Sequence, residues 1–175
     1  MSAGAPRVSA ESAGLAGRWT VQPDASTARF SVRDKLVTSV HGSMPVVAGQ
    51  VEVSPDGAVL AAHVEVGVAG IATGNDRRDK DLRKPGFLDV QGHPLVRVAV
   101  TDVTPTGDGW TAEALVHARG LSAPVTLTVQ PADDGEDGLT MRVTGRLDRA
   151  PLGIRAPTFI VGRFVDLDVT LVLRG

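Results

Sequence analysis

The chain has 175 residues and a formal net charge of -2, with basic and acidic side chains interspersed. It therefore lacks the strongly basic composition by which many proteins bind nucleic acid, and we expect no nucleic-acid partner. The absence of cysteine excludes disulfides, thiolate metal ligands and thiol catalysis. A chain of this length suits a single domain.

The N-terminal segment is rich in Ser, Ala and Gly and lacks the apolar stretch of about 7–15 residues that a signal peptide requires. No segment approaches the roughly 18 consecutive apolar residues of a membrane-spanning helix. We expect a cytoplasmic protein without stable membrane insertion, present as a monomer or homodimer. A disordered tail is predicted over residues 1–16 and a folded domain over residues 17–175.

From Trp19 onward, apolar and polar residues alternate, which is typical of strands that have one buried face. Turn-forming runs such as Pro55-Asp56-Gly57 and Gly107-Asp108-Gly109 separate these stretches. Eight or nine strands joined mainly by short loops favour an all-β fold, an antiparallel barrel or a sandwich. The predicted strands cover about 18–22, 28–33, 37–53, 58–69, 94–104, 110–118, 124–131, 139–148 and 165–173.

The inward faces of these strands carry mainly Val, Ala and Leu, and aromatic residues make up only 3% of the chain. A closed barrel of about eight strands is either just filled by its side chains or open for one small ligand. Small inward residues favour a cavity, which an elongated apolar guest would fill, but a narrow, close-packed barrel fits the composition equally well. The residues predicted to point into the barrel are Phe30, Val32, Val98, Val100, Ala114, Val116, Leu127, Met141, Val143, Val165, Leu167 and Val169.

Ala114 offers a test between these two alternatives. If the interior is a ligand tunnel, Ala114→Trp should impair binding more than folding, because the new ring takes up space meant for the ligand. In a filled core, the same substitution should cost roughly 1–3 kcal/mol or more of stability.

One short, highly charged helix is predicted over about 75–84, in the run from Thr73 to Val90. Asn75 or Thr73 can cap this helix, and Pro85-Gly86 stops it. The helix is either a solvated connector or a lid across a barrel mouth with Leu82, Phe87 and Leu88 turned inward. In the second case, one end of the barrel is closed or lined by Ile71, Leu82 and Phe87.

The sequence contains no motif of the catalytic classes considered. There is no Gly-x-Ser-x-Gly elbow, and the four histidines do not have the spacing of metal ligands. Asp166 and Asp168 share one face of a predicted strand, where they suit solubility or edge protection better than catalysis. We expect a protein that is not an enzyme and that holds no cofactor and no metal.

The charged run also resembles a known family signature. Thr73-Gly74-Asn75, followed by Arg78-Asp79, Leu82-Arg83, Phe87, Asp89 and Pro94, is similar to the signature of the YceI-like family of polyisoprenoid-binding proteins. The resemblance extends over nearly the whole chain, including the segment from Leu115 to Val129. It implies a lipocalin-like antiparallel β-barrel with one short helix, whose long apolar pore holds an isoprenoid chain, often that of a quinone.

Two functions remain open. The resemblance implies binding of a polyisoprenoid, an isoprenoid quinone or a fatty-acyl chain inside the barrel, for transport, storage or sequestration. The alternative is a ligand-free barrel that acts as a stress-response or protein-interaction scaffold. Replacement of histidines that are common in the family by Ala25, Asp34 and Asp81 slightly favours this alternative, whereas the interior of small residues favours lipid binding. In either case, we expect Arg78 and Asp79 to hold the helix in place.

Overall fold

The computed structural model describes residues 16–34, 39–132, 139–153 and 160–175. In these residues, the stretches in which apolar and polar side chains alternate form ten β-strands. The tail predicted over residues 1–16 lies outside these residues, apart from Ala16. One α-helix, α1 (Asp76–Leu82), is present in the described ranges and matches the predicted helix. The strands are β1 (Gly17–Val21), β2 (Thr27–Asp34), β3 (Ser39–Met44), β4 (Val46–Val53), β5 (Val59–Gly67), β6 (Leu95–Pro105), β7 (Trp110–Ala118), β8 (Leu121–Pro131), β9 (Leu139–Asp148) and β10 (Ile160–Arg174).

The strands form a closed antiparallel barrel. The sheet runs in the order β1-β4-β5-β6-β7-β8-β9-β10, and β1 also pairs with β10, so these eight strands close the ring. β2 continues β1 after a 3-10 turn at Pro23–Ala25 and pairs with β10, and β3 pairs with β2. The predicted antiparallel barrel with one short helix is therefore confirmed. Neighbouring strands follow one another up and down around the ring. The first two long strands are each divided into two, the first into β1 and β2 and the second into β3 and β4.

The break between β3 and β4 falls at Pro45, inside the run 37–53 that the sequence predicts as one strand. Proline has no N–H to donate to a ladder, so strands tolerate it where pairing is interrupted. The Pro45 carbonyl instead accepts a hydrogen bond from the Gly67 N–H at 2.9 Å. Its ring lies 2.6 Å from where a Cβ on Gly70 would be, so the glycine permits this close approach.

The connections between strands define two ends of the barrel. At the helix end lie α1, the turn between β7 and β8, and the turn that follows β9. The β7–β8 turn consists of Arg119 and Gly120, whose φ angles of 56° and 76° suit a two-residue type I′ hairpin. At the opposite end, which we call the far end, lie the start of β1 and the β4–β5 and β6–β7 turns.

Charged side chains on the outer face of β9 and β10 pair across the two strands. Arg142 Nη2 lies 3.0 Å from Asp168 Oδ2, and Arg146 Nε lies 2.9 Å from Asp166 Oδ1. Both aspartates lie on the outer face, away from the barrel interior, in agreement with the sequence prediction. They do not protect an edge, however, because β9 and β2 pair with β10 on its two sides.

We expect the Arg142–Asp168 pair to contribute stability that is lost only in acid. The hydrogen bond from Arg142 holds the pKa of Asp168 below its ordinary value of 3.8. The contribution is therefore present above that value and disappears as the pH falls through the lowered pKa of the folded state. Because about half of each side chain is exposed, the effect should stay below about 1 kcal/mol and weaken with salt.

The measurement is urea unfolding of Asp168→Asn and the unchanged protein at low salt, from neutral pH to about pH 2. The difference in unfolding free energy should shrink towards zero at the acid end. A difference that stays constant over this range would contradict the assignment.

Candidate functional site

The barrel interior contains an apolar cavity of about 190 Å³. All strands except β3 contribute to its wall, and its lining residues are Val, Ala, Leu and Met together with Trp19, Trp110 and His63. A surface of this composition can hold an apolar guest through exclusion of water and close contact, without a fixed pattern of hydrogen bonds.

The structure divides the predicted pore residues into two groups. Nearer the helix end, Ala114, Val116, Val165, Val32 and Phe30 belong to or pack against hydrophobic clusters and do not line the cavity. The cavity is lined by Val98, Val100, Leu127, Met141, Val143, Leu167 and Val169. Contact of these residues with a ligand stays a prediction.

The half of the barrel next to α1 is filled by small side chains. Ala114, Val116 and Ala118 follow one another on the inward face of β7 and are all buried. They belong to one cluster with residues of β8 and β9, including Ala123 and Leu147. The barrel is thus close-packed towards the helix end and has its cavity towards the far end.

This division changes which position tests for a tunnel. Ala114 lies in the packed half, so Ala114→Trp would overpack a filled region and destabilise the protein whether or not the cavity holds a ligand. Ala112, two residues earlier on the same strand face, lines the cavity. Ala112 is therefore the informative position.

Apolar residues of α1 and its flanking segments close the helix end. Leu82 and Ile71 are buried in one cluster with Val68 and Leu88. The Leu88 N–H donates to the Leu82 carbonyl at 2.9 Å, which holds the chain that leaves the helix against it. Both residues are therefore buried at this end, and their contact with a ligand stays a prediction.

Phe87, the third residue predicted to close this end, is only half-buried and lies outside the cluster. After the helix, the Phe87 N–H donates to the Lys84 carbonyl at 2.9 Å in a tight turn. The following residue, Leu88, then takes the buried position.

A polar network centred on Thr73 holds α1 in place. Asn75 caps the helix, since its side-chain oxygen accepts from the Arg78 N–H at 3.0 Å. The buried Asp79 carboxylate accepts from the Thr73 N–H at 2.9 Å and from the Thr73 hydroxyl. Arg78 donates from Nε to Thr73 Oγ1 at 2.7 Å and from Nη2 to the Thr73 carbonyl at 2.6 Å. These contacts agree with the predicted structural role of Arg78 and Asp79.

Arg119 links three connections at the helix end, a role that the sequence reasoning missed. Its Nη1 donates to the carbonyls of Leu152 at 3.1 Å and Gly153 at 2.6 Å, in the turn after β9. Its Nη2 donates to the Pro85 carbonyl at 3.3 Å, just after α1. The sequence indicates only the turn in which Arg119 lies, because an Arg-Gly pair between two alternating runs is consistent with a two-residue hairpin.

The cavity wall is interrupted between β5 and β6. In the described ranges, the ladder between these strands runs from Gly67–Leu95 to His63–Ala99 and stops there. Beyond it lies a depression of about 370 Å³, which we call the side opening. It is bordered by residues 56–62 and 100–103, with Pro105 and Trp110. The residues that line both the side opening and the cavity are Val59, Ala62, Val100, Val103 and Trp110.

Comparison with known proteins assigns the chain to a family. A model of the YceI-like domain matches residues 19–173. The chain belongs to the YceI-like family. Curated relatives include UPF0312 proteins from Serratia proteamaculans, 29% identical over 75 residues, and Yersinia pestis, 31% identical over 75 residues. The chain matches only 39% of the length of each of these relatives, and 43% of its own length takes part.

Solved structures share this YceI-like barrel. BcnA from Burkholderia cenocepacia has a TM-score of 0.71 at 18% identity, covering 87% of this chain and 98% of that protein. A polyisoprenoid-binding domain from Saccharophagus degradans, implicated in plant cell wall breakdown, has a TM-score of 0.70 at 13% identity, with 90% and 98% covered. The Campylobacter jejuni YceI protein has a TM-score of 0.65 at 15% identity, with 78% and 85% covered. At these identities, the similarity shows the fold.

The described ranges lack two other features. No three His, Asp or Glu residues there lie close enough together to hold a metal ion. No helix in the same ranges is long and apolar enough to cross a membrane. The expectations of no metal and no enzymatic activity stay predictions.

Proposed function

We propose that this YceI-like chain binds one elongated apolar lipid, with its tail in the barrel cavity, and so transports, stores or sequesters it. The candidate lipids are a polyisoprenoid, an isoprenoid quinone and a fatty-acyl chain. The observation that carries the proposal is the cavity of about 190 Å³ with its almost wholly apolar lining. Each buried methylene contributes about 0.8 kcal/mol, so a tail can bind without specific polar contacts. Family membership and the polyisoprenoid-binding structural neighbour support the same ligand class.

The cavity volume limits how much of a lipid lies inside. An engineered apolar cavity of about 150 Å³ in another protein binds benzene. The 190 Å³ present here therefore accommodates a segment somewhat larger than one ring, and not a complete polyisoprenoid. A longer chain must either extend out of the barrel or push apart the packed side chains at the helix end.

We expect organic extraction of protein purified from a quinone-rich bacterial host to release a hydrophobic compound in nearly stoichiometric amount, identified by mass spectrometry. Both tryptophans of the chain, Trp19 and Trp110, line the cavity, so they report on occupancy directly. An added long-chain quinone should quench their fluorescence with saturation. A quinone ring without a tail serves as the control, since it fits the cavity but lacks the methylenes of the tail and should need a much higher concentration for the same quenching.

A clean extract together with unsaturable quenching by the long-chain quinone would contradict the proposal. That outcome would favour the alternative of a ligand-free barrel that serves as a stress-response or protein-interaction scaffold.

A further inference from the structure

The two strands that border the side opening each carry one extra residue there. The register of β6 on β7 shifts between Val100 and Asp102, which leaves Thr101 as the additional residue. The register of β5 on β4 shifts between Ala61 and Val59, which leaves Leu60 as the additional residue. A β-bulge bends its strand and increases the local twist, so these bulges account for the separation of β5 from β6. The side opening is thus built into the wall by its own strands.

The side opening adjoins the cavity through shared wall residues. Five residues line both spaces, among them Ala62 and Val103. Leu60, at the rim, is 61% exposed and is the most exposed of the large hydrophobic residues described. The helix end, by contrast, is closed by the cluster that contains Ile71 and Leu82. The shared lining makes the gap between β5 and β6 the candidate route by which a chain in the cavity would reach water.

The charged side chains that line the side opening are acidic. Asp56 and Asp102 line it, whereas no Lys, Arg or His appears among its described lining residues. The hydrogen bond from the Ser54 hydroxyl holds the pKa of Asp56 below its ordinary value, so this carboxylate is ionised at neutral pH. Beyond His63–Ala99, the described ladder does not pair the facing backbone edges of β5 and β6 with each other.

We propose that the side opening is the passage through which the lipid tail enters the cavity and the place where its head group rests. The chemistry of its walls selects an uncharged head group that forms hydrogen bonds, such as a hydroxyl, a phenol or a quinone. A carboxylate or phosphate would face two acidic side chains without a cationic partner. This inference rests on the proposed function, because it places the head of a lipid whose tail occupies the cavity.

Head-group selectivity is measured with two ligands that share a tail, farnesol and farnesyl phosphate, by calorimetric titration at about 0.15 M salt. We expect the unchanged protein to bind farnesol at least about tenfold more tightly than farnesyl phosphate. Asp102→Lys should reduce this ratio by about tenfold, because it places a cation beside the phosphate. Asp24→Lys makes the same change in net charge at an exposed position outside the side opening, and should leave the ratio within about twofold because salt screens distant charges.

Equal affinity of the unchanged protein for both ligands, or equal effects of Asp102→Lys and Asp24→Lys, would overturn the assignment of the head-group site while tail binding stands. Failure of every variant to bind either ligand would instead overturn the proposed function, together with the inference that rests on it.

The passage is tested by kinetics. Ala61 borders the side opening, whereas Ala69 is an exposed alanine at the helix end. Ala61→Phe should slow farnesol association in stopped-flow experiments by about tenfold, and Ala69→Phe should leave it within about twofold, because only the first narrows the passage. Equal association rates for the two variants would overturn the passage between β5 and β6.

Discussion

Replacement of Ala112 by Phe is expected to abolish binding of a lipid tail with little loss of stability, whereas Ala114→Phe should destabilise the protein by about 1–3 kcal/mol or more. The two alanines lie on the same inward face of β7, at 2% and 3% exposure. Ala112 lines the cavity of about 190 Å³, which has room for the added ring. Both alanines belong to one buried cluster, but Ala114 does not line the cavity, so an added ring there forces its packed neighbours apart.

The measurement is urea unfolding of the lipid-free variants, combined with titration of farnesol followed by tryptophan emission. Comparable destabilisation by both substitutions would mean that the space beside Ala112 is filled in solution. Unchanged farnesol affinity in Ala112→Phe would show that the tail binds elsewhere. Each variant controls for the other, since the chemical change, the strand and the facing direction are the same.

The strands could be predicted because alternation leaves a one-sided pattern wherever one sheet face is buried. On β7, Trp110 to Ala118 are buried at every second position. Closure of the barrel could not be derived in this way, since it depends on two pairings of β1, at positions such as Val21 with Leu173 and Thr20 with Gln50. These residues are far apart in the chain, and nothing in the local pattern specifies such partners.

The boundary between cavity and packed core could not be predicted either, because Ala112 and Ala114 look alike in sequence. The space beside each alanine depends on the side chains of all the strands around the barrel at that level. It therefore cannot be predicted from the pattern of β7 alone. The family resemblance implied a pore, but only the structure shows that the cavity does not extend to Ala114 and Val116.

The side opening did leave a signal in the sequence. On β6, Val98 and Val100 line the cavity, and the next lining residue is Val103 instead of residue 102. On β5, Val59 and Ala62 show the same spacing of three. A break of period two inside a strand is the pattern that a β-bulge produces. Two such breaks in neighbouring strands could have indicated a gap between them, although not its size.

The charged helix is the element where pattern and structure agree most closely. Its cap at Asn75 and its end near Pro85 follow from residue types with known local preferences. The choice of Leu88 over Phe87 for the buried position depends on the turn after the helix, which the sequence pattern does not resolve. The charged side chains serve to attach this helix to the barrel, which leads to a prediction about stability.

Asp79→Ala is expected to lower the free energy of unfolding by about 2–4 kcal/mol, because it leaves the Thr73 N–H and hydroxyl without their buried acceptor. Asp79 is only 6% exposed, so water cannot readily replace the carboxylate. Asp76→Ala is the matched control, since Asp76 is exposed in the first turn of the same helix and carries the same charge. Its loss should cost less than about 1 kcal/mol.

Two further variants separate the hydrogen bonds from the charge. Asp79→Asn keeps one side-chain acceptor for Thr73 and should cost less than Asp79→Ala. Thr73→Val removes the hydroxyl that accepts from Arg78 and donates to Asp79, so a double-mutant cycle with Asp79→Ala should show a coupling energy of about 1 kcal/mol or more. Additive effects in this cycle, or equal losses in Asp79→Ala and Asp76→Ala, would show that the network around Thr73 does not hold the helix on the barrel.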